Sequence, residues 1–288
     1  MTAPTQQAPS VLLIGASGSG KTHSLTTILE AGLELFVVIT EPHGLETLLT
    51  ACAARKLDIS KLHWMEIFPS RPGFESLEAM AKKVSFMDQQ ALSALKPGGE
   101  RATAQWIELI KGLRDFKDGK DGRTYGPVDL FDNTRAVAID SLSGLNAMSM
   151  DITIGDKVTA NPGEWGIAMK QLEKLILTCT SSMRCLFVLT AHAEREVDEL
   201  TGAGKIMASA LGRKLAPTLP RFFSEVVLAT RKAEGENESY TWSNAEAGYD
   251  LKRRALPLSS KLPPSFGPIV EAYKARVQLV TSIERKVS

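Results

Sequence analysis

At 288 residues the chain can hold one large α/β domain with a sizeable core, or two small domains. With 43% hydrophobic and 23% charged residues it is neither disordered throughout nor fibrous, and a net charge of +1 excludes any general electrostatic pull toward nucleic acid. Three scattered cysteines, Cys52, Cys179 and Cys185, exclude a disulfide framework or a cysteine zinc site and fit small apolar core residues in a reduced intracellular protein.

In chain order, residues 1–10 (MTAPTQQAPS) carry no basic segment ahead of a long apolar run, and read as a flexible lead rather than a signal peptide. Val11 to Ile14 is the first strand, followed by a glycine-rich turn and a helix with Leu25, Ile28, Leu29 and Leu33 at helical spacing. Further strands are expected at Leu35 to Thr40, His63 to Phe68, Ala136 to Asp140, Cys185 to Ala191 and Glu225 to Thr230. Helices are expected over Phe74 to Leu95 (ended by the Pro97 to Gly99 break), around Trp106 to Leu113, over Met169 to Cys179, and from Ile269 onward. Phe116 to Asn133, rich in Gly, Asp and Lys, reads as an exposed loop; Arg195 to Ser209 reads as a flexible loop or β-hairpin. Short β-branched strands alternating with helices predict an α/β fold, a mostly parallel sheet covered on both faces. Residues 11–264 would form the main domain and 265–288 a terminal helix. No apolar run approaches membrane-spanning length.

The turn after the first strand, Gly15-Ala16-Ser17-Gly18-Ser19-Gly20-Lys21-Thr22, matches G-x-x-x-x-G-K-[ST] in full, between a strand and a helix. Glycines let backbone N–H groups turn inward around phosphates, and the helix start adds its positive dipole end. Lys21 would reach the β- and γ-phosphates of a nucleotide, ATP, and the Thr22 hydroxyl would ligate Mg²⁺.

Ala136 to Asp140 is an apolar strand ending in an acid, the pattern that holds Mg²⁺ through its water shell. Ser141 follows, where many ATPases place the Glu that activates water. Glu41, at the carboxyl end of the second strand, is then the candidate general base; otherwise it caps the helix starting near Leu45. His192 ends the fifth strand, where it either senses the γ-phosphate or serves as a structural histidine. Lys252, Arg253 and Arg254 form a basic run, read as a strand near the end of the domain: a solvated face, or a source of cations for a neighbouring subunit's nucleotide.

This order of elements resembles the RecA-like P-loop ATPases. Thr40 to Gly44 (TEPHG) resembles the turn carrying their catalytic Glu, and Val137 to Leu145 (VAIDSLSGL) is similar to their Walker B strand. The chain is most similar to short phage-encoded members that act in single-strand annealing or recombination, through its TAH stretch at His192, GRKLAP (Gly212 to Pro217) and LKRR (Leu251 to Arg254). His192 stands where RecA proteins usually carry Gln or Asn. The resemblance implies a Mg²⁺-dependent ATPase assembling into rings or filaments on single-stranded DNA, alongside other phage replication or recombination proteins in a bacterial cytoplasm. The segments Ile152 to Glu164 and Arg195 to Ser209 would take the places of the DNA-binding loops, and Lys252 to Arg254 would act in trans. A hexameric helicase motor is the nearest alternative, and a small-molecule kinase or a non-hydrolysing nucleotide scaffold is more distant.

Overall fold

The computed structural model describes residues 7–87, 100–155, 157, 159–197, 204–234 and 237–287. Among these, eight strands form one sheet: β1 (Ser10–Gly15), β2 (Glu34–Ile39), β3 (Leu62–Glu66), β4 (Arg135–Asp140), β5 (Leu186–Val197), β6 (Gly204–Ala208), β7 (Glu225–Glu234) and β8 (Asn237–Ser243). The order is β3-β2-β4-β5-β1-β7-β8, with β6 paired to the far half of β5. The first six in that order run parallel, and β8 and β6 pair antiparallel. The helices are α1 (Lys21–Leu25), α2 (Thr27–Glu30), α3 (Gly44–Ala54), α4 (Phe74–Ser85), α5 (Glu100–Arg114), α6 (Leu142–Ile154), α7 (Pro162–Ser182), α8 (Gly212–Leu215) and α9 (Gly267–Val287).

Successive strand side chains point to opposite faces, so a strand buried on both sides is apolar throughout. In β1, Leu12 and Ile14 join Phe36, Val38, Val137, Ile139, Phe187 and Leu189 on one face, under α5, α6 and α7. Val11 and Leu13 join Leu35, Val37, Ala138 and Val188 on the other, under α1, α2, α3 and α9. Each fully buried Leu, Ile or Val contributes about 1.5–3 kcal/mol. The predicted α/β fold with helices on both faces is therefore what the chain adopts.

Several local expectations are corrected. Residues 7–10 do not hang free: Ala8 is buried, the Gln7 side chain donates to Thr180 O (3.2 Å) and Pro9 O accepts from Phe187 N (3.0 Å). Phe116 to Asn133 is largely exposed, as expected, but it is anchored to the core by the buried Phe116, Asp118, Val128 and Phe131. Asp118 Oδ2 lies 2.8 Å from His63 Nδ1, Oδ1 accepts from Trp64 N, and Phe116 and Phe131 pack on Phe36. The basic run Lys252 to Arg254 is no strand. It makes one isolated bridge, Val226 to Lys252, and is followed by Pro257, Pro263 and Pro264, which lack the N–H that a ladder needs. Strand β8 was not expected. The described ends of Arg195 to Ser209 pair antiparallel as β5 and β6, as the hairpin alternative expects, and 198–203 lie outside the described residues. The helix from Phe74 ends at Ser85, capped at Phe86, and does not run on to Leu95 as expected; residues 97–99 lie outside the described residues.

All three cysteines are buried, one on the α3 side and two on the α7 side of the sheet. Burial raises all three thiols, and pushes Cys179 and Cys185 up to about 12. A thiol reagent at neutral pH is expected to leave the native cysteines unmodified for as long as the fold persists and to label all three in denaturant. Rapid native labelling of Cys179 or Cys185 would contradict this packing.

Candidate functional site

Parallel sheets bind ligands at the carboxyl ends of their strands, where the chain order reverses. Here β1 leads to β2 across two intervening strands, β4 and β5, while β5 and β7 flank β1, so the crevice opens above β1, β4 and β5. A cavity of about 480 Å³ lies there, lined by residues 17–24, Glu41, Asp140, Ser141, His192 and Tyr240 among others. The predicted phosphate loop, both acids and the histidine thus meet in one place, brought from four separate strand ends.

The loop has the backbone such a cradle requires. Gly18 (φ 72°) and Gly20 (φ 83°) are left-handed, which glycine adopts without strain, and Ser19 N closes a turn onto Ala16 O at 3.2 Å. A side chain on Gly15 would meet Ala229 O at 2.5 Å, so β7 can approach only a glycine. Ser19 Oγ is buried without a hydrogen-bond partner. Lys21 is buried; its Nζ donates to Gly15 O and Ala16 O, both at 2.9 Å. Burial lowers its pKa, opposed by the charges of Asp140 and Glu41. Thr26 is helical and links α1 to α2.

Thr22 and Asp140, predicted as the metal pair, are in contact: Thr22 Oγ1 donates to Asp140 Oδ2 at 2.6 Å. Thr190 Oγ1 donates to the other carboxylate oxygen. Burial raises the pKa of Asp140 against the pull of these two hydroxyls. Among the described residues no group of three or more His, Cys, Asp or Glu could hold a metal. Mg²⁺ needs none where it is shared between one hydroxyl, a carboxylate reached through water, and substrate phosphates. The donor set fits that ion.

Strand ends β2 and β4 are laced together: Thr40 N donates to Asp140 O, Thr40 Oγ1 to Ser141 O, and Ser141 N back to Thr40 Oγ1, each at 2.8 Å. The Asp140–Ser141 peptide is cis. This lacing aims Ser141 Oγ at Glu41, whose Oε1 accepts from it and lies 3.3 Å from His192 Nε2. Burial would raise the Glu41 carboxyl, but Ser141, the His192 charge and Ser143 outweigh it and hold it below the ordinary carboxylate range. Glu41 caps nothing here: α3 starts after His43 with no side-chain cap. Gly144, one turn into α6, sits so close to Thr40 that any larger residue would displace it.

His192 lies level with Gly15 across the β1–β5 ladder, and β5 then runs on into the hairpin with β6. Ser209 N donates to His192 O (2.7 Å) and Asn146 of α6 clips the hairpin base, giving to Ser209 O and taking from Leu211 N. Lys252, Arg253 and Arg254 do not reach this cavity. Their side chains are exposed beside the amino end of β7, with the backbone held by Glu225 and Lys252 Nζ donating to Phe223 O at 2.6 Å. The described part of Ile152 to Glu164 includes the end of α6, to Ile154, and the start of α7, from Pro162. The N-cap Asn161 and Glu164 form a capping box on α7, and the buried Lys157 ammonium lies 2.6 Å from Glu164.

Sequence reasoning missed three contributors. Thr190 was signalled as the polar residue in an otherwise apolar strand core. Arg55, which bonds Glu30 (2.6 Å) and His23 (3.3 Å), lines the cavity with Thr47 and Pro264 and had no local signature. Tyr240 arrives on β8, because β7 continues past the end of β1 to Glu234 and carries β8 over the phosphate loop. Compared with known proteins, the chain matches no protein-family model and no curated protein.

Proposed function

We propose that this chain is a Mg²⁺-dependent ATPase of RecA type that works as an oligomer on single-stranded DNA. The observation that carries the ATPase reading is the convergence of Lys21, Thr22, Asp140, Glu41 and His192 on one cavity. Lys21 exchanges the carbonyls of Gly15 and Ala16 for phosphate oxygens, which return charge-assisted bonds for neutral ones. Mg²⁺ held by Thr22 and, through water, by Asp140 would neutralise charge on the phosphates. Glu41 is ionised at neutral pH and held by Ser141, so it can orient a water toward the terminal phosphate and accept its proton. His192 touches the same carboxylate and continues into a hairpin that carries the exposed Arg195 and Lys205, the latter paired with Asp250. That continuity favours a coupling between nucleotide and a strand of backbone phosphates. The exposed Lys252 to Arg254 face away from their own cavity, as cations serving a neighbour's nucleotide in a head-to-tail assembly must.

Phosphate release from ATP and Mg²⁺, with and without single-stranded DNA, tests this. Stimulation by DNA is the expected result. Turnover that requires a small acceptor would replace this reading by a kinase, and tight binding without turnover by a scaffold.

A further inference from the structure

The overhanging β7–β8 arm presents one face to the phosphate loop. Arg231 and Tyr240 are directly opposite each other in the ladder, and Glu238 lies two residues from Tyr240, so all three share that face. The Tyr240 ring sits 3.0 Å from where a side chain on Gly20 would begin, and Arg231 Nη1 sits 3.5 Å from the same point on Gly18. Glu238 holds both partners: it accepts from Arg231 Nη2 and, at 2.8 Å, from Tyr240 OH. The Arg231 and Glu238 side chains are 45% and 42% exposed. An ion pair so exposed is weak, and a guanidinium gains more from a cluster of charged phosphate oxygens than from a solvated carboxylate.

Resting on the nucleotide reading of the cavity, we propose that Arg231 is a second cation for the phosphate chain, supplied in cis, held beside the loop by Glu238 and handed over when a polyphosphate binds. Tyr240 stays bonded to Glu238 and keeps the arm over Gly20, so only the guanidinium has to turn. Gly20 lets the arm come this near, since a side chain there would begin 3.0 Å from the Tyr240 ring, whereas one at Gly18 would lie in ordinary contact with Arg231.

Affinities of a fluorescent non-hydrolysable ATP analogue and of AMP, measured for the full chain, test this. Arg231→Ala is expected to weaken the triphosphate about tenfold or more and to leave AMP unchanged; Arg231→Lys is expected to recover part of the loss. Glu238→Gln releases the guanidinium in advance and is expected to tighten the triphosphate several-fold. Wild-type triphosphate affinity in both Arg231→Ala and Glu238→Gln, with Lys21→Ala abolishing binding, overturns the handover and leaves the nucleotide site standing. An equal loss for AMP overturns it too. Wild-type binding in Lys21→Ala would instead remove the site on which the inference rests.

Discussion

Lys21→Ala is expected to abolish nucleotide turnover while the protein remains folded. The ammonium is buried between two backbone carbonyls of its own loop and two carboxylates. Against a polyphosphate it is the one buried cation lining the described cavity. Removing a preorganised donor of this kind costs about 10²–10³ in rate even when the donor is neutral, and here the donor carries charge. The sheet does not depend on it, because β1 is held by β5 and β7 through backbone bonds. The check is phosphate release beside a thermal melt. Wild-type turnover in this variant would overturn the phosphate-loop reading altogether.

Glu41→Gln is expected to bind nucleotide as the native protein does and to lose at least ~10² in hydrolysis. The amide keeps the shape, and its oxygen can still accept from Ser141, but it cannot take a proton. Because Ser141, the His192 charge and Ser143 hold the Glu41 carboxyl low despite its burial, the Glu41 contribution to turnover should stay level through neutral pH and fall only as the pH drops below the ordinary carboxylate range. A base held that low is weak, so orientation of the water carries much of its effect. Single-turnover hydrolysis with a parallel binding measurement separates the two steps; untouched turnover would remove Glu41 from the chemistry.

What the sequence made legible follows from where its signals reside. The loop Gly15 to Thr22 and the apolar strand ending at Asp140 are local patterns, and each needs only its neighbours to be read. Glu41 and His192 were legible because strand ends of a parallel sheet share one rim, so two polar residues at two strand ends are brought together by topology alone. The His63–Asp118 pair was not legible, since 55 positions separate the partners and nothing local distinguishes a buried aspartate from an exposed one in a Gly-Asp-Lys segment. Strand β8 escaped because its first four residues are exposed and its pairing with β7 is made by backbone groups, which leave no apolar alternation to see. Lys157 escaped for the converse reason: a lysine in a polar connection reads as solvated until Glu164 is placed beside it. No helix among the described residues is long and apolar enough to cross a membrane, as expected.

Strand β5 has one further consequence. Its first part is clamped in the sheet as far as His192, level with Gly15, and the rest, to Val197, pairs among the described residues with β6, while Ser209 Oγ donates to Glu194 at 2.8 Å. It is a cantilever with its support at the histidine. Five residues at about 3.3 Å each carry the arm roughly 17 Å beyond the support, so a tilt of about 5° there moves the described tip by roughly 1.5 Å. Asn146, bonded close to the support, sets the stiffness of that joint more than the throw of the arm. Geometry of this kind converts a change too small to disturb the core into a displacement comparable with a bond length at the surface.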